Sequence, residues 1–121
     1  MAKRRILIVE DSPLVTDAFS VLFTEAGYDV DIAGTVAEAI ERGTDKPVDI
    51  MLLDLTLPDG DGLEIMETLR KKACLPRATL AMTGHSDGKS RRNCLEAGCA
   101  DVLVKPVPIS ELLRQIELHL A

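Results

Sequence analysis

Aromatic residues are nearly missing from this 121-residue chain: it has no Trp, and Phe19, Phe23 and Tyr28 make up the whole 2%. The core must therefore be aliphatic, and no stacking platform exists for single-stranded nucleic acid. A positive charge balance is missing as well. Lys and Arg number 14 against 20 Asp and Glu, a formal charge of −6, whereas a duplex binder needs a clustered basic face. The clusters Arg70-Lys71-Lys72 and Lys89 with Arg91 and Arg92 read as solvated helix faces. Direct nucleic-acid binding is not expected. No apolar run approaches the roughly 18 residues that would span a bilayer, and Met1 to Arg5 leads straight into a strand without a hydrophobic leader. No membrane contact is expected either. The three cysteines are an odd number without framework spacing, which favours a reducing, cytoplasmic setting. Cys94 and Cys99 lack the second pair or nearby His that zinc would want, so Cys74, Cys94 and Cys99 read as small, mostly buried apolar residues.

What is present is the balance of a soluble globule, 46% apolar and 28% charged, long enough for one well-buried core. Residues 1–121 are expected to form a single domain. Ile6-Leu7-Ile8-Val9 is an unbroken apolar run, as in a strand buried on both faces, and it ends in Glu10-Asp11. Ser12 is placed as a cap and Pro13 in the first turn of a helix that closes at Gly27. The apolar residues of this helix cover an arc of roughly 200°, wider than one sheet requires. The excess is either simply exposed or a partner-binding edge. Tyr28 to Ala33 reads as an outer strand, and Thr35 caps a short helix stopped by Gly43.

Val48 to Leu53 is a second buried run and delivers Asp54 to a turn marked by Pro58 and the pairs Asp59-Gly60 and Asp61-Gly62. A helix follows through Leu63, Ile65, Met66 and Leu69 to Arg70-Lys71-Lys72. Thr79 to Met82 is a fourth strand, stopping at Thr83-Gly84-His85. Ser86 to Ala97 makes a poor amphipathic helix with Gly88, Ser90 and Asn93 inside it, and should be the least stable element. Asp101 to Val104 is a fifth strand that ends at Lys105-Pro106. A last helix, Ile109 to Leu120, buries Ile109, Leu112, Leu113 and Ile116 and leaves Leu118 on the opposite face. Strand and helix alternate five times. The expectation is an α/β, flavodoxin-like (βα)5 doubly wound parallel sheet with strand order 2-1-3-4-5.

In that order the ends of strands one and three are neighbours, and ligands bind at the carboxyl ends of strands. Glu10, Asp11 and Asp54 would then converge on one crevice, with the Thr83 hydroxyl and the Lys105 ammonium to one side. Like charges so close demand either a raised pKa or a bound cation. An oxygen-only set of this kind suits Mg2+ or Mn2+, and a carboxylate can serve as the nucleophile that accepts a phosphoryl group. A cis bond before Pro106 would aim the lysine. Each feature also has a local reading: Asp54 as a turn cap, the acid pair as charges at a helix N-terminus, Thr83 as a turn hydroxyl, Lys105 as a strand-end charge.

The acidic pair Glu10-Asp11, the run Leu52-Leu53-Asp54-Leu55-Thr56-Leu57-Pro58-Asp59-Gly60-Asp61-Gly62, the Thr83-Gly84 step and the Lys105-Pro106 step together resemble the receiver domain of two-component response regulators, of the chemotaxis-regulator type. The resemblance runs from Arg4 to Leu120. It implies phosphorylation of Asp54 by a histidine kinase or phosphotransfer protein. It also implies Mg2+ held by Asp11, Asp54 and the Thr56 backbone carbonyl, with Glu10 acting largely through water. Lys105 and Thr83 would contact the phosphoryl group, and water would hydrolyse it in the same site. The change would be passed through the Ser86–Ala97 region to a downstream protein target or an output domain, none of which lies in this chain. Gly84, His85, Val102 and Pro106 stand at modulating positions. The family usually carries an aromatic residue three positions before the lysine, where this chain has Val102.

Two other classes compete. An aspartyl-phosphate phosphatase would need a second acid two residues after its nucleophile, and Thr56 cannot do that work. A flavodoxin-like mononucleotide binder would need a phosphate cradle after strand one, where Glu10-Asp11 repels phosphate. The expectation is a signalling domain rather than an enzyme acting on a separate substrate.

Overall fold

Alternate residues of the central strands enter two different cores. Leu7, Val9, Met51 and Leu53 face one side of the sheet, and Ile6, Ile8, Ile50 and Leu52 face the other, as the two-residue repeat of a strand requires. In the computed structural model, which describes residues 3–84 and 88–120, these belong to β1 (Arg5–Val9) and β3 (Ile50–Asp54). Every residue of both strands is buried.

The remaining elements are α1 (Pro13–Glu25), β2 (Asp29–Ala33), α2 (Val36–Asp45), β4 (Thr56–Leu57), β5 (Gly60–Asp61), α3 (Leu63–Lys71), β6 (Ala78–Thr83), α4 (Gly88–Glu96), β7 (Asp101–Val104) and α5 (Ile109–Leu120). The five-stranded sheet has the order β2-β1-β3-β6-β7, every pair parallel. Counting only the strands of that sheet, this is the expected 2-1-3-4-5. Phe23 of α1 and Leu112, Ile116 and Leu120 of α5 cover one face. Val36 and Ala39 of α2, Ile65, Met66 and Leu69 of α3 and Cys94 of α4 cover the other.

The turn after Asp54 is a small antiparallel hairpin, Thr56 opposite Asp61 and Leu57 opposite Gly60. Two local expectations change. Gly43 does not stop α2, which runs on to Asp45; a Cβ there would sit 3.1 Å from both methyl groups of Leu69, so the glycine lets α2 approach α3. Ser12 occupies the cap position of α1 without a side-chain cap bond. Its backbone N–H instead donates to Glu10 Oε1 at 3.2 Å. Thr35 does cap α2, its hydroxyl accepting from the Glu38 N–H at 3.1 Å. Leu118 is 60% exposed, on the outer face as expected.

Candidate functional site

Sheet register assembles the site. Val9 pairs with Leu53, so Glu10 and Asp54 follow side by side at the carboxyl edge. Asp54 pairs with Met82, and Thr83 with Val104, which brings Thr83 and Lys105 to the same edge. The Lys105 N–H donates to the Thr83 carbonyl at 2.7 Å and fastens the two strand ends together.

Lys105 reaches across this edge. Its Nζ lies 3.0 Å from Asp54 Oδ2 and 3.1 Å from Glu10 Oε2, and the Lys105–Pro106 bond is cis. Glu10 and Asp54 are buried, at 4% and 6% exposure, while Asp11 is exposed. Each of the three acids offers an oxygen within 4.8 Å of the others. The second oxygen of Asp54, Oδ1, accepts from the Thr56 N–H at 3.0 Å.

The electrostatics follow from this crowding. Burial pushes the Glu10 carboxyl above its ordinary value, and the Asp54 charge adds to that push against the opposing pull of Lys105. Burial alone would pull Lys105 down, but its bonds to Asp54 and Glu10 outweigh that and hold it above its ordinary value. Two buried carboxylates and one exposed acid, all oxygen donors with one lysine among them, make a donor set that fits a hard divalent cation.

Thr83 is buried at 7% and Gly84 is exposed beside it. Val102 is buried in the α2–α4 layer, and its carbonyl accepts from Arg91 at 3.4 Å. The Thr56 side chain is exposed. His85, and with it the start of the Ser86–Ala97 segment, lies outside the described residues. Of α4, Cys94 alone is buried.

Two features of the site were at most faintly marked in the sequence. Asp59, in the hairpin turn after Asp54, accepts from the N–H groups of Val36 and Ala37 at 2.7 and 3.2 Å, tying the Asp54 loop to the start of α2. These bonds hold its carboxyl below the ordinary carboxylate value. Its only sequence signal is an acid next to a glycine. The second feature is an apolar groove of about 590 Å³ lined by Leu14, Val15, Ala18, Phe19, Met82, Pro106 and Val107, with Glu10 and Lys105 at its charged end. The wide apolar arc of α1 was its trace in sequence. Leu14, 85% exposed, stands at this groove.

Comparison with known proteins gives a consistent picture. A family model described as the response regulator receiver domain matches residues 6–117. The TorCAD operon transcriptional regulatory protein TorR of Escherichia coli O157:H7 is 35% identical over 112 residues, 93% of this chain and 48% of that protein. The chain thus spans about half the length of the curated relatives it matches. Among solved structures, a CheY-like receiver domain protein from Methanospirillum hungatei JF-1 superposes with a TM-score of 0.89 at 28% identity, covering 98% of this chain and 94% of that one. The receiver domain of the sensor histidine kinase PA1611 from Pseudomonas aeruginosa PAO1 gives 0.84 at 28% identity over 98% of both chains, and it carries a magnesium ion coordinated in its active site cleft.

Proposed function

The chain belongs to the response regulator receiver domain family, and from that premise we propose that it is a phosphoacceptor switch in which Asp54 takes a phosphoryl group from a histidine kinase or phosphotransfer protein. The observation that carries this reading is the convergence of Glu10, Asp11 and Asp54 within 4.8 Å, with Lys105 bonded to two of them.

Asp11, Asp54 and the Thr56 carbonyl would hold Mg2+, with Glu10 acting through water; when bound, the ion offsets negative charge on the transferring group. The chain's own residues do the rest. A carboxylate oxygen of Asp54 forms a bond to phosphorus as the bond from phosphorus to the donor nitrogen breaks. The Thr56 N–H, 3.0 Å from Asp54 Oδ1, fixes the orientation of that carboxylate before the donor arrives. Lys105 is free to follow the negative charge from the carboxylate to the phosphoryl oxygens, and the Thr83 hydroxyl donates to the same group. Hydrolysis is the later attack of water on the phosphorus of the acyl phosphate, which restores Asp54.

The apolar groove between α1 and the segment after Lys105 suits the surface of an incoming donor protein, since it ends at the charged pair. Phosphorylation biases the 86–97 region, whose described helix is anchored by a single buried side chain. An output domain or a separate protein target receives that change. Residues 1–121 act as one receiver unit.

The test is incubation with acetyl phosphate and Mg2+, read by intact mass. One phosphoryl group gained by the native chain and none by Asp54→Asn supports the reading. A gain that survives Asp54→Asn, or steady turnover of a generic phosphomonoester, refutes it.

A further inference from the structure

Two thiols that the phosphoryl chemistry does not use meet at the C-terminal end of α4. Cys94 is the buried side chain of that helix, and Cys99, also buried, follows its end. Gly98, at φ +108°, turns the chain between them. Its N–H donates to the Leu95 carbonyl at 3.1 Å, and the Cys99 N–H donates to the Cys94 carbonyl at 3.0 Å. This is the Schellman closure, which is usually accompanied by an apolar contact between the last helical turn and the second residue beyond the helix. Cys94 and Cys99 occupy those two positions and lie in one buried cluster. Burial raises the Cys94 thiol, and the neighbouring Cys99 thiol pulls the other way.

We propose that Cys94 and Cys99 are a dithiol–disulfide pair that fastens the end of α4 when the protein meets a two-electron oxidant such as hydrogen peroxide. The Cys94 thiolate attacks one peroxide oxygen, the O–O bond breaks, and the departing hydroxide takes a proton to become water. Cys94 is left as a sulfenic acid. The Cys99 sulfur then attacks the Cys94 sulfur, the S–O bond breaks, and a second water leaves with the Cys99 proton. Two thiols are oxidised by two electrons, and the peroxide is reduced to two waters.

Burial gates the step. It raises the Cys94 thiol and pushes Cys99 up to about 12, so little thiolate exists while α4 is docked. Beyond Cys94, the residues of this helix are exposed or half-buried. Arg91 meets Asp101 at 3.2 Å and the Val102 carbonyl at 3.4 Å, and Arg70 of α3 donates to the Ala97 carbonyl. A helix so lightly held opens locally at small cost, and the reaction proceeds from that opened form. Cys74, half-buried on the chain before β6, is the internal control.

The test exposes the full chain to hydrogen peroxide, alkylates the remaining thiols, and reads intact mass and peptides. Expected is a product about 2 Da lighter before alkylation, for two hydrogens lost. Cleavage after Glu96 should give peptides that stay joined through Cys94 and Cys99, Cys74 should be alkylated, and dithiothreitol should reverse the link. Cys94→Ser and Cys99→Ser should each abolish it, and α4 amides should exchange about tenfold more slowly in the oxidised chain. Native-chain mapping decides the matter if a variant fails to fold. The proposal is overturned if both thiols remain alkylatable under peroxide that links them in urea. A link to Cys74, sulfinic acid without a disulfide, or unchanged α4 exchange in the linked form overturns it equally.

Discussion

Lys105 and Glu10 set the charge state of the site, and their titrations make it testable at single-residue resolution. Glu10 sits above its ordinary value because burial, helped by Asp54, disfavours its anion. The folded chain therefore takes up this proton before the unfolded chain does. As pH rises from the ordinary glutamate value through the raised folded one, Glu10 withdraws stability. A divalent cation relieves the same repulsion, so Mg2+ should raise Tm most above the folded Glu10 value and progressively less as pH falls through it. Thermal melts across pH with and without Mg2+ check this; an equal or larger Mg2+ effect in acid contradicts it. Lys105 carries the same sign in a higher pH window. Its pKa is raised by Asp54 and Glu10 against the pull of burial, so its contribution is complete below its ordinary value and lost as pH climbs through the higher folded one. Lys105→Met should slow phosphoryl gain from acetyl phosphate by about a hundredfold, the scale for removing one donor aimed at developing charge. A rate unchanged from the native chain would remove Lys105 from the site.

At the scale of elements, end geometry governs what can be changed. Ala73, beyond the end of α3, is held at φ 57° while its N–H bonds the Arg70 carbonyl at 3.0 Å and the Cys74 N–H bonds the Leu69 carbonyl at 2.8 Å. That left-handed position favours glycine. Ala73→Gly should stabilise the chain by about 0.5–1 kcal/mol, measured by urea unfolding; destabilisation would contradict the reading. Asp59→Ala removes the acceptor for two N–H groups at the start of α2 and should lower the urea midpoint, with faster amide exchange at Val36 and Ala37. The strands were legible because parallel strands buried on both faces read as unbroken apolar runs. Gly43 misled because a glycine that ends a helix and one that admits a neighbouring helix look alike until Leu69 is placed against it. Ser12 has the chemistry of a cap, but Glu10 takes its backbone N–H. Asp59 depends on partners distant in sequence that no local pattern announces, whereas the α1 groove left a trace in the wide apolar arc of its helix.

For the whole molecule, sheet register is the decisive fact. The acids after β1 and β3 and the lysine after β7 were all readable as strand-end residues; that they touch follows from pairings that sequence alone implied only through the strand order. Gly62 guards that register. Its N–H donates to the Leu55 carbonyl at 3.0 Å, and a Cβ there would meet the Asp54 carbonyl oxygen at 2.6 Å and Leu55 Cα at 3.1 Å. Both are backbone atoms that cannot step aside without moving Asp54. Gly62→Ala should therefore cost about 2 kcal/mol or more and reduce Mg2+-dependent phosphoryl gain together with stability. The central claim is that the β1 and β3 loops place their acids in one cleft where Asp54 attacks phosphorus. The direct measurement is to expose the chain to acetyl phosphate, reduce the acyl phosphate with borohydride, and map the modified residue. The account predicts reduction at residue 54, dependent on Mg2+. Modification at another residue, or labelling undiminished when the cation is chelated, would contradict it.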